Sequence, residues 1–157
     1  MTDPRKASGR VRIIRKICIF LGITTLFSIS PLQADPLEKF TWENRLLLVF
    51  ALSAEDPLLQ RQRQSMADRK SGIEERQMRL VEISTADTVL VDGRIDQALD
   101  ASRLRRAYEV APDRFAIILI GKDGGEKGRW TNPVRLDEVF DLIDAMPMRQ
   151  EEMRSGG

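Results

Sequence analysis

Three sets of side chains in this 157-residue sequence have the types and the spacing for chemistry. Ser53, Glu55 and Asp56 lie in Ser53-Ala-Glu-Asp-Pro57, between an apolar run and the start of a helix. Backbone N–H groups at a helix N-terminus can hold an anion, and two neighbouring carboxylates can serve as acid and base. Asp is equally the residue that caps its own helix, its side-chain oxygen accepting from a first-turn amide, and that is the plainer expectation for Asp56. Arg103 and Arg106, with Arg105 between them and Arg94 nearby, could grip a carboxylate or phosphate through paired N–H donors. The plainer expectation is a solvated helix face paired with Asp96, Asp100 and Glu109. Met146, Met148 and Met153 are thioethers of the kind that binds Cu(I) in an oxidising compartment, although Met more often fills gaps at the edge of a core.

Other chemistry is excluded by what the chain lacks. It contains no histidine, which removes Ser-His-Asp catalysis and zinc sites built on imidazole. Its only cysteine is Cys18. Asp123 stands in a Gly-rich segment without the other ligands of a calcium loop and reads as a turn residue. Trp42 and Trp130 fall at element edges, where a large ring covers the core or anchors a partner; core cover is the expectation. None of these motifs calls for a cofactor.

The first 34 residues differ from the rest. Six basic residues and one acid precede an uncharged run over residues 17–29, the pattern of a signal peptide, and Ala34 offers a small residue for cleavage before Asp35. The apolar run covers 13 residues where a spanning helix needs about 20, so no anchor is expected to remain after cleavage. The expectation is export to the periplasm of a Gram-negative cell. The remaining 123 residues carry 19 basic and 23 acidic side chains, a net charge of −4, without the basic face that nucleic acid requires. Cys18 leaves with the leader, so the mature chain has neither a disulfide nor a reactive thiol and must be held by packing.

The elements that must position these residues follow from hydrophobic period. Residues 46–51 form a continuous apolar run, expected as a central strand buried on both faces. Asp56-Pro57 opens a helix expected to reach about Arg69 and to stop near Gly72. Alternation over residues 78–83 gives a second strand, and the polar stretch 84–93 is read as a loop. Residues 99–108 form a second amphipathic helix, and residues 115–120 another buried strand. The Gly121–Gly125 segment turns the chain into a returning strand over 127–131. Leu136, Val139, Phe140 and Ile143 stand at i, i+3, i+4 and i+7 of a last helix, expected to close at Pro147. The order β-α-β-α-β-β-α, with right-handed crossovers, predicts a three-layer α/β/α fold with a mixed sheet. It assigns 1–34 to the leader, 35–154 to one domain and 155–157 to a tail.

Three segments carry a family resemblance: Arg45-Leu-Leu-Leu-Val-Phe-Ala51, Leu119-Ile-Gly-Lys-Asp-Gly-Gly125 and Ile143-Asp-Ala-Met-Pro-Met-Arg149. From Pro36 to Arg154 the chain resembles a bacterial domain family of unknown function, number 4174, of thioredoxin-like fold, with related domains in sushi-repeat extracellular-matrix proteins. The resemblance implies a secreted setting and no established reaction. In thioredoxins the paired cysteines sit where the first core strand meets its helix; here that place reads Ser53-Ala-Glu-Asp-Pro57, so disulfide exchange and thiol peroxidase activity do not carry over. Pro112 lies near the place of the thioredoxin cis-proline, separated from Phe115 by Asp113 and Arg114. Two readings follow: a non-catalytic interaction or structural module that could bind a protein partner, or an enzyme or ligand carrier using the junction at Ser53–Asp56.

Overall fold

A computed structural model describes residues 35–84 and 87–156. The expected leader and its cleavage point therefore lie outside the described residues. Strand β1 (Arg45–Phe50) is buried at all six positions, pairs in parallel with β2 (Met78–Ile83) and antiparallel with β5 (Ala116–Ile120). With β3 (Val89–Val91), β4 (Arg94–Ile95) and β6 (Glu126–Trp130), the full sheet runs β4-β3-β2-β1-β5-β6, with β1 inside it as its unbroken apolar run requires. Because side chains alternate, Leu46, Leu48 and Phe50 serve one apolar cluster while Leu47, Val49 and Ala51 serve the other. Leu37 and Phe40 of an N-terminal turn, with Leu104 of α3 (Ala101–Ala107), cover the first face. Leu59 and Met66 of α1 (Pro57–Ala67), with Val139, Phe140 and Ile143 of α4 (Leu136–Asp144), cover the second. The result is the three-layer α/β/α architecture with a mixed sheet.

Four local features differ from expectation, each for an identifiable reason. The polar stretch 84–93 contains strand β3 (Val89–Val91), which turns back through Asp92-Gly93 into β4 (Arg94–Ile95). Asp92 (φ 48°) and Gly93 (φ 77°) supply the two left-handed residues that a two-residue hairpin needs. The helix opened by Pro57 ends at Ala67, and a second, α2 (Lys70–Glu75), contains Gly72 instead of stopping there. That glycine admits the Phe140 ring, one carbon of which lies 2.7 Å from where a Cβ would stand. Pro147 does not end a helix; it opens α5 (Pro147–Ser155) at the first helical position, where its missing N–H is harmless. Ser155 thus belongs to α5 and not to a tail. Finally, β6 (Glu126–Trp130) returns from β5 as expected, but only Trp130 of the two tryptophans packs on the core, its indole N–H donating to Glu138 at 2.7 Å. Trp42 is 66% exposed and adopts φ 69°, contrary to a core-covering role.

Among the described residues no helix is long and apolar enough to cross a membrane, and no peptide bond is cis, so Pro112 does not reproduce the thioredoxin cis-proline.

Candidate functional site

The junction between β1 and α1 is closed by its own side chains. Asp56 is the buried N-cap of α1: its Oδ1 accepts from the Leu58 N–H at 2.8 Å and its Oδ2 from the Leu52 N–H at 3.0 Å. The Ser53 hydroxyl oxygen accepts from the Glu55 N–H at 3.2 Å, while Glu55 itself stays exposed. Ala54 offers its carbonyl to Gln60 at 3.0 Å and to Arg63 at 3.3 Å. Ser53 and Asp56 are thus committed to the backbone, as the capping reading expects, and the two carboxylates do not converge on a reacting atom.

Beneath this loop sits a residue that sequence reasoning left on a solvated face. Arg105 is buried, with Nη2 donating to the Ala51 carbonyl at 2.6 Å and the Ile83 carbonyl at 3.3 Å, and Nη1 to the Ala111 carbonyl at 3.1 Å. Its guanidinium carbon lies 5.5 Å from the Phe50 ring centroid, and burial pushes its pKa down. Arg105 and Asp56 therefore hold the same peptide unit from opposite ends: one takes the Ala51 carbonyl, the other the Leu52 N–H. The signal for Arg105 is in the sequence, since Ala101, Leu104 and Arg105 stand at i, i+3 and i+4 of one buried stripe. A second buried charge, Glu82, interrupts the apolar alternation of β2 and is met by Arg63 with Nε at 2.9 Å and Nη2 at 2.5 Å. The bond to Glu82 holds the Arg63 guanidinium above its ordinary pKa.

Arg103 and Arg106 are brought together. Three residues apart on α3, they line a shallow cavity of about 390 Å³ with Asp35, Tyr108 and Gly124. The Tyr108 phenol is pushed up to about 12 by burial, with the charges of Asp35 and Glu126 adding to it. The expected acidic partners are otherwise engaged: Asp100 caps α3 through the Arg103 N–H at 2.6 Å, and Asp96 pairs with Lys39 at 2.5 Å. Asp123 behaves as a turn residue, accepting from the Gly125 N–H and from Lys127. The three methionines are not gathered on one face. Met146 packs against the second apolar cluster, whereas Met148 and Met153 are exposed and five residues apart on α5, about 140° around the helix.

A further concavity lies away from the junction. A groove of about 640 Å³ runs between α1–α2 and β2, floored by Met66, Ile73, Met78 and Leu80 and rimmed by Arg63, Lys70, Arg79, Glu74 and Asp92. The β3–β4 hairpin, expected as a loop, contributes Asp92 to its rim.

The chain is similar to the zebrafish (Danio rerio) protein named coiled-coil domain-containing protein 80, 23% identical over 133 residues that cover 74% of this chain and 15% of that protein. It is also similar to the human (Homo sapiens) sushi repeat-containing protein SRPX, 30% identical over 121 residues that cover 74% of this chain and 26% of that protein. It spans about a quarter or less of the length of these relatives. Among solved structures, the reduced 2-Cys peroxiredoxin of Plasmodium vivax superposes with a TM-score of 0.53 at 17% identity, covering 73% of this chain and 84% of that one. Thioredoxin peroxidase I of Plasmodium yoelii superposes with a TM-score of 0.51, also at 17% identity, covering 73% of this chain and 79% of that one. At that identity the likeness shows the thioredoxin-like fold alone. The match over residues 36–152 shows that the chain belongs to the family described as a domain of unknown function, DUF4174.

Proposed function

We propose that this chain is exported as a precursor, cleaved after Ala34, and serves in the periplasm as a non-catalytic interaction module on a thiol-free thioredoxin-like scaffold. The observation that carries this reading is the double hold on the Ala51–Leu52 peptide by Arg105 and Asp56. A place used for thiol chemistry in thioredoxins here holds charged groups spent on backbone hydrogen bonds, the arrangement of a capped and braced loop. Export is supported by the basic segment and uncharged run ahead of Asp35, and by the absence of cysteine and histidine from residues 35–157. The groove over Met66, Ile73, Met78 and Leu80, with its apolar floor, supports a docking face there. At its rim Arg63, Lys70 and Arg79 are each paired with a carboxylate, of Glu82, Glu74 and Asp92, so the apolar floor and not net charge selects the partner, which suits a segment with an apolar anchor.

Photo-cross-linking in the periplasm of the producing cell tests the reading. A photoreactive amino acid at Ile73 or Leu80 is expected to give a discrete protein adduct, and the same residue at Glu55 none. Adducts confined to position 55, or to Arg106 beside the smaller cavity, would overturn it.

A further inference from the structure

The wall of the groove is formed in part by α2, which supplies Lys70, Ile73 and Glu74. This helix has six residues, none of them buried, and no side-chain cap, so it cannot stand by itself. Ile73 rests half-buried on the second cluster and Gly72 lies against Phe140. The rest of its hold is ionic. Arg76, at its C-terminal end, stacks 4.3 Å from the centroid of the Phe140 ring and meets Asp144 with Nε at 3.0 Å and Nη2 at 2.5 Å.

Helix α5 completes that hold. Arg149 is its one buried residue; Nε reaches Asp144 at 3.2 Å, Nη1 the Glu75 carbonyl oxygen at 3.2 Å and Nη2 the Glu75 carboxylate at 2.5 Å. A single guanidinium thus ties α5 to the end of α2 and to α4. The second tie is Glu152, which accepts from Lys122 at 2.8 Å and from Arg45 at 3.2 Å, the latter only 1% exposed and itself donating to the Arg76 carbonyl at 2.9 Å. Burial pushes the carboxyls of Asp144 and Glu152 up, but the hydrogen bonds from Arg76 and Arg149, and from Lys122 and Arg45, outweigh it and hold both below the ordinary carboxylate range. No apolar stripe fastens α5: Met148 and Met153 point into solvent.

We propose that α5 is an electrostatic latch on α2, so that breaking the Arg149 contacts frees the wall of the groove and changes what the groove can admit. Arg149 is buried and outside the groove's lining, so a partner in the groove acts on the latch through α2, whose Lys70, Ile73 and Glu74 it touches. The regulatory meaning rests on reading the groove as the docking face; the latch itself does not.

Hydrogen-exchange mass spectrometry on the full exported protein separates the two. In Arg149→Met, amides of α2 and α5 are expected to exchange at least about tenfold faster than in the parent, with β1 and β5 unchanged. Unchanged protection of α2, or a loss spread equally over β1 and β5, would overturn the latch. Should Arg149→Met fail to accumulate, Glu75→Gln weakens one contact on a more exposed residue and is expected to give a smaller acceleration confined to the same two helices; no acceleration there would likewise count against it. Loosening of α2 with no adduct from Ile73 or Leu80 in any variant would sustain the latch and fault the docking reading.

Discussion

Replacing Arg105 with Ala is expected to lower stability by about 3 kcal/mol or more, the largest loss from any single polar substitution near the junction. The reason is the set of acceptors it serves. Ala51, Ile83 and Ala111 each point a carbonyl at its guanidinium, and the first two stand at the ends of neighbouring parallel strands. Removing the side chain leaves the buried Ala51 carbonyl without a donor, at about 1–3 kcal/mol, and takes the charge-assisted bond from the Ile83 and Ala111 carbonyls, which keep the Ala51 and Arg114 N–H groups; water entering from the cavity beside Val110 and Pro112 offsets part of the loss. Arg105→Lys is expected to recover less than half, because a compact ammonium on a flexible stem cannot span three acceptors set in a fork. Urea unfolding at constant m checks both variants. A loss below about 1 kcal/mol for Arg105→Ala would mean that these carbonyls find other donors and that the junction is not held from below.

Asp56→Ala is the second large effect, expected at about 2–3 kcal/mol. Loss of the cap contributes about 1 kcal/mol, and loss of the charge-assisted bond from the Leu52 N–H contributes the rest. Asp56→Asn separates the two terms. Asn caps as well as Asp does, so the Leu58 contact survives, while the amide nitrogen turned toward the Leu52 N–H sets donor against donor. The expected loss is about half that of Ala. Since Arg105 and Asp56 grip one peptide unit, the double Ala variant should lose less than the sum of the single variants by at least about 0.5 kcal/mol. Additive losses would show that the two side chains act on separate parts of the structure.

Much of the architecture is legible in the residues because burial on both faces leaves an unmistakable pattern. The continuous runs of β1 and β5 and the stripe Leu136, Val139, Phe140 and Ile143 place the centre of the sheet and one helix without ambiguity. What escaped was short. Val89–Val91 is a three-residue strand, and its Asp92-Gly93 turn is of the type recognised around Asp123, but without a long apolar run beside it the signal reads as a loop. Gly72 and Pro147 were misread as stops because their local meaning depends on tertiary neighbours, a Phe140 ring in one case and a new helix start in the other.

The junction was half legible. Asp56 before Pro57 announces a cap from two residues alone. Arg105 does not announce itself among four charged or polar neighbours, and only its place beside Leu104 on the buried stripe distinguishes it from Arg103 and Arg106. The network of Arg45, Arg76, Lys122 and Arg149 with Glu75, Asp144 and Glu152 could not be read at all, since it joins four segments distant in sequence.

Native mass spectrometry of the protein made from its full-length gene and recovered from a Gram-negative periplasm reads processing and bound mass together. The expected spectrum is that of a soluble species whose mass begins at Asp35, with no small molecule or metal retained. A full-length mass found only in membranes, or a retained ligand or copper mass on the processed chain, would contradict it.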